Sequence, residues 1–136
     1  MKELPKFEVI LLAIIFDPRN KKILLAKRKS QSRKPELEWC FPGGWANFEE
    51  DVDKTLKDKI VNKTGYRIKN MGSIFSQRNP ERKELIEIYF LTEIFEGEEK
   101  MGDNIVELKW VSPHEVDEYF RVPLHRKLKE FLSELV

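Results

Sequence analysis

A chain of 136 residues, 36% charged and 40% hydrophobic, is sized for one soluble globular domain over 1–136 with a sizeable core. A net charge of +1 argues against nucleic acid or an anionic membrane as the main partner. Cys40 is the single cysteine, which excludes an internal disulfide and points to a reducing cytoplasm. The opening MKELPKFEV lacks the pattern of a secretory leader, and the apolar run Val9 to Phe16 is too short to span a bilayer. Lys and Glu dominate the charge, with Gln31 and Gln77 the only glutamines, a composition that leans thermophilic.

Phe7 to Phe16, FEVILLAIIF, reads as a strand buried on both faces and ends at the turn Asp17-Pro18-Arg19-Asn20. Ile23 to Lys27 returns as its hairpin partner. Arg28 to Lys34, RKSQSRK, is a basic polar loop, either solvated or a phosphate-facing rim.

Trp39 to Tyr66, WCFPGGWANFEEDVDKTLKDKIVNKTGY, organises the rest. It reads as a short strand, a Pro-Gly-Gly turn, a second short strand, a helix over about Glu50 to Thr64, and a C-capping Gly65. Gly43 and Gly44 are expected in conformations that other residues avoid, stiffened by Pro42. Glu49, Glu50, Asp51 and Asp53 suit a helix N-terminus. Val52, Leu56 and Ile60 form one apolar stripe. Lys63 falls within roughly 20° of the stripe's centre, Lys59 within roughly 60°, and Asn62 about 120° away. Two lysines therefore project at or near the face that should point inward, where an unpaired ammonium is costly; reaching solvent along the helix edge is the bland alternative. Trp45, Phe41 and Phe48 are either core or a stacking platform for a base.

Arg67 to Gln77 is a ragged strand, and Glu84 to Phe95 is the long β-rich partner of a second hairpin. Arg78 and Arg82 near its tip are either solvated or reach a ligand phosphate. The acidic run EGEEKMGD is read as a solvated turn. Ile105 to Val111 is a strand with Val106, Leu108 and Trp110 on one face. Ser112, Pro113 and Glu115 suggest a capping box opening a short helix. Pro123 to Val136 is an amphipathic helix facing the core through Leu124, Leu128, Phe131, Leu132 and Leu135. His114 and His125 are expected on the surface, too dispersed to bind metal with Cys40. The element order suits an α/β/α sandwich with a mixed β-sheet.

The stretch from Gly44 to Tyr66 resembles the Nudix box, which runs Gly, five residues, Glu, seven residues, Arg-Glu-aliphatic-x-Glu-Glu-x-Gly-aliphatic. Gly44, Glu50, Ile60, Gly65 and Tyr66 match in ungapped spacing, and LKWVSPHEV is similar to a late strand of the family. The Arg position holds Asp58, and the three Glu positions that carry the family's chemistry hold Lys59, Asn62 and Lys63. The resemblance covers most of the chain and implies the Nudix fold, with Gly43, Gly44, Glu50 and Gly65 as box framework and basic residues such as Arg28 near the substrate.

Cleaving a diphosphate calls for carboxylates that hold Mg²⁺ and activate water. Protonated lysines cannot ligate Mg²⁺ and repel it, yet they attract a diphosphate directly. The first expectation is accordingly a protein that binds a nucleotide or nucleoside diphosphate derivative through Arg28, Lys59 and Lys63, with hydrolysis lost or strongly reduced and no cofactor. The second is a divergent Mg²⁺-dependent hydrolase, using Glu50, the Gly44 carbonyl and a later carboxylate such as Glu107. The third is a protein-interaction module on the same scaffold, and a homodimer is compatible with all three.

Overall fold

The computed structural model describes residues 3–29 and 37–136. In chain order it has β1 (Glu8–Asp17), β2 (Lys22–Lys29), β3 (Leu37–Cys40), β4 (Gly43–Trp45), α1 (Val52–Thr64), β5 (Tyr66–Arg78), β6 (Leu85–Gly97), β7 (Ile105–Val111), α2 (Val116–Tyr119) and α3 (Arg126–Glu134). The sheet is mixed. β1 runs parallel to β6 over Glu8–Ile15, and the other pairings are antiparallel.

The apolar run of β1 serves two cores, because successive strand side chains point to opposite faces. Leu11, Ala13 and Ile15 pack with Leu56 and Ile60 of α1, while Ile14 and Phe16 pack with Val116 of α2 and Leu128 and Leu132 of α3. Helices thus cover both faces, the expected sandwich.

The sheet splits where the site forms. β1 and β2 pair only at Phe16↔Ile23 and Asp17↔Lys22, next to their turn. Further along they part, and the next segment fills the opening: β3 pairs β2 and β4 pairs β1. Between these two short strands the Pro42 carbonyl accepts from the Ala13 N–H at 2.8 Å.

Several local expectations change. α1 begins at Val52, not Glu50, and its buried residues are Thr55, Leu56, Ile60 and Thr64, with Val52 42% exposed. The inward stripe is therefore rotated from the one that apolar letters alone define, because Thr64 hides its hydroxyl by donating to the Ile60 carbonyl at 2.8 Å. The capping box at Ser112 does not form. α2 starts at Val116 after Glu115, which makes no side-chain cap, and Ser112 instead accepts the Glu115 N–H through its backbone carbonyl. α3 begins at Arg126, and His125 caps it, Nδ1 accepting from the Lys127 N–H at 3.0 Å. On β7 the buried ends are Ile105 and Val111, and Val106 is exposed.

Candidate functional site

Gly43 and Gly44 lie in a strand, without the left-handed conformation expected of them; that conformation occurs at Gly65, with φ 82°. Their requirement is close approach. A Cβ on Gly43 would lie 1.9 Å from the Leu11 carbonyl oxygen, and one on Gly44 would lie 2.8 Å from Cδ of Lys59. The bare strand lets the methylene stem of Lys59 lie across Gly44. One turn further along α1, the Lys63 ammonium donates to the Gly43 carbonyl. Both lysines thus project toward β4, while Asn62 is exposed.

Lys63 belongs to a small electrostatic cluster. Burial pushes its ammonium below the ordinary lysine range; a Cys40 thiolate would oppose this, and the Arg28 and Lys59 charges reinforce it. Burial pushes the Cys40 thiol up, against the pull of Arg28 and Lys63. Arg28 and Cys40 also line a cleft of about 500 Å³, within the usual size range for small-molecule sites. Its walls come from β3, the facing ends of β5 and β6, and the segment between α2 and α3.

The remaining cleft residues were not legible as site residues. Trp39 meets Tyr119 edge-on at 5.4 Å, and Phe41 packs on Phe120 at 5.1 Å. Glu87 accepts from Gln77 Nε2 at 2.8 Å, Asn79 Nδ2 at 3.0 Å and the Tyr89 hydroxyl at 3.1 Å. Arg121 bridges Glu38 of β3 at 3.6 Å and Glu81 of the β5–β6 turn at 2.8 Å. The one sequence signal was Glu87 itself, a carboxylate amid the apolar letters of β6.

The carboxylates proposed for catalysis are dispersed. Glu50 is exposed ahead of α1, accepting from the Thr55 hydroxyl at 3.3 Å and standing 3.7 Å from Lys54. Asp58 pairs with Lys54 at 2.8 Å on the outer face. Glu107 is exposed opposite Lys27, and strand alternation places it on the side of Val111, away from α1. Among the described residues, no three His, Cys, Asp or Glu side chains gather as metal ligands.

The acidic run after β6 does more than turn. Its side chains are exposed, but Lys100 N–H donates to the Thr64 carbonyl at 2.8 Å and Gly102 N–H to the Lys63 carbonyl at 3.0 Å, closing the C-terminus of α1. Glu99 accepts from Tyr66 Oη at 3.2 Å and Trp110 Nε1 at 3.1 Å. The aromatic platform does not form: Phe41 is core, Phe48 is fully exposed, and Trp45 lies under Arg82 at 6.0 Å. Arg82 also pairs with Glu8 at 2.7 Å. Of the basic loop, Arg28 and Lys29 belong to β2, and residues 30–34 lie outside the described residues.

A NUDIX domain model matches residues 6–135. An ADP-ribose pyrophosphatase of Methanocaldococcus jannaschii is 33% identical over 98 residues, 68% of this chain and 55% of that protein, so the chain spans about half the length of that relative. A NUDIX hydrolase structure from Nitrosomonas europaea superposes with TM-score 0.76 at 19% identity, covering 97% of this chain and 73% of that one. A MutT protein from Methanosarcina mazei Go1 gives 0.69 at 21%, covering 98% and 96%. At these identities the structures speak for the fold.

Proposed function

The chain belongs to the NUDIX family, and on that footing we propose that it binds a nucleotide or nucleoside diphosphate derivative in the cleft beside Arg28, with its phosphates held by lysines rather than by metal. The observation that carries the reading is the placement of Lys59 and Lys63 against the two glycines of β4, at the box positions where the family keeps its carboxylates. Arg28 extends this positive edge into the cleft.

The family's Mg²⁺ does not fit this helix face. Of the three positions expected to offer carboxylates, two present ammonium groups that repel a cation and one a neutral amide, a single oxygen donor without charge. Glu50 is engaged with Thr55 and Lys54, and Glu107 faces away. No hydrolytic step is derived through the metal.

Phosphate binding by ammonium groups is ordinary chemistry, and the low-dielectric edge of a cleft strengthens it. The relative named as an ADP-ribose pyrophosphatase makes ADP-ribose the natural first ligand to try. The test is a release assay on the wild type and on a variant carrying Lys59→Glu, Asn62→Glu and Lys63→Glu. No release by the wild type, with Mg²⁺-dependent release by the variant, supports a cleft that kept its ligand and lost its metal site. Mg²⁺-dependent release by the wild type overturns the reading.

A further inference from the structure

The cleft that Arg28 lines also holds a carboxylate, Glu87. Glu87 sits in its wall with three donors turned onto it, Gln77 and Tyr89 on Oε1 and Asn79 on Oε2. Asn79 cannot simply turn away, because its Oδ1 accepts the N–H groups of Glu81 at 2.8 Å and Arg82 at 3.0 Å. The folded turn between β5 and β6 therefore fixes which end of the amide faces Glu87. Burial, reinforced by the Glu87 charge, holds the Tyr89 hydroxyl above its ordinary range, so it remains a donor.

A carboxylate has about four acceptor positions, and three are filled here. Oε2 carries one donor and keeps capacity for another. Three neighbours hold this acceptor in place before any ligand arrives. Arg28 lines the same cleft, and so do aromatic side chains, Trp39 and Tyr119 among them. A ligand matching this set of features carries negative charge and a flat ring with an N–H donor.

We propose that Glu87 is a specificity-determining residue that selects nucleoside diphosphates whose base bears an amino group, accepting that group's N–H on Oε2. The inference rests on the nucleotide-binding reading and names the part of the ligand that the phosphate contacts leave open. A carboxylate acceptor favours a donor and penalises a ring that turns a lone pair toward it. A site built for a hydrogen-bonding group discriminates strongly against the analogue without it, since a polar group is then left unpaired.

The experiment titrates the protein in EDTA with two matched pairs, ADP against purine riboside 5′-diphosphate and GDP against IDP, with pyrophosphate alongside. In the tighter-binding pair, loss of the amino group is expected to weaken binding by about tenfold or more, as for a hydrogen bond to a charged group. In Glu87→Gln the same comparison is expected to shrink to about threefold or less, while pyrophosphate affinity stays within about twofold. Equal affinities within both pairs in the wild type overturn the inference whether or not the variant folds, and leave the phosphate-binding reading standing. An unchanged amino-group effect in a folded Glu87→Gln also overturns it. Failure of every ligand, pyrophosphate included, to bind in EDTA overturns both.

Discussion

The Lys63 ammonium donates to the Gly43 carbonyl, joining the last turn of α1 to the first residue of β4. The contact holds a positive charge between helix and strand, within the electrostatic reach of Arg28, which lines the cleft. Lys63→Met should weaken metal-free pyrophosphate binding about tenfold or more, the scale of a charged hydrogen bond. Its effect on stability should stay within about 1 kcal/mol, because relieving a half-buried charge offsets the lost bond. Calorimetric titration and urea unfolding measure the two effects separately.

The depressed pKa of Lys63 gives this binding a pH signature. Anions favour the ammonium, so affinity should hold at neutral pH and fall as pH rises through a value below the ordinary 10.5. For stability the sign reverses. Between the lowered folded pKa and 10.5 the unfolded chain binds more protons, so this group's contribution to stability rises with pH across that window. Lys63→Met should remove the part of the alkaline fall that sets in below 10.5, as titrations at several pH values would show.

The two glycines of β4 should tolerate alanine unequally. In Gly43→Ala the methyl would meet the Leu11 carbonyl oxygen, a backbone atom, at 1.9 Å, and the cost should reach about 3 kcal/mol or more. In Gly44→Ala it would meet the flexible Lys59 stem at 2.8 Å, which can shift, so the cost should be about 1 kcal/mol. Moving that stem should nevertheless lower pyrophosphate affinity. Equal destabilisation in urea would contradict this account of the two positions.

Gly65 closes α1 in the left-handed conformation, and a Cβ there would lie 2.1 Å from the Glu98 carbonyl oxygen. Gly65→Ala should cost about 3 kcal/mol or more, since the backbone clash and the strained φ add. Because the following loop caps the helix through the N–H groups of Lys100 and Gly102, their hydrogen exchange should accelerate in the variant.

The strand–helix unit from Gly43 to Gly65 was legible in the sequence because its local signals act over a few residues. The Pro-Gly-Gly segment, the Leu56–Ile60 spacing and the αL stop at Gly65 all point to one strand–helix unit, although the stripe is rotated and the two glycines lie in a strand. The apolar run of β1 likewise announced burial on both faces. Two kinds of information stayed hidden. The first was long-range pairing: nothing in FEVILLAIIF says that β1 leaves β2 after two residue pairs, or that Pro42 accepts from Ala13 between the strands that fill the gap. The second was polar side chains satisfied at a distance. Thr64 counts as buried only once its hydroxyl finds the Ile60 carbonyl, and Glu87 becomes a site residue only when Gln77 and Asn79 arrive from the neighbouring strand and turn. Ser112 shows the converse, a strong local signal overruled by a backbone turn that starts the helix later.

The most direct test of lysine-held phosphate is calorimetric titration of the wild-type protein with ADP-ribose and ADP, in Mg²⁺ and again in EDTA, with nucleotide release followed in parallel. The account predicts binding that survives EDTA and no release in either buffer. Binding that disappears in EDTA, or release that requires Mg²⁺, would contradict it and return attention to Glu50 and the carboxylates after Phe95 as metal ligands.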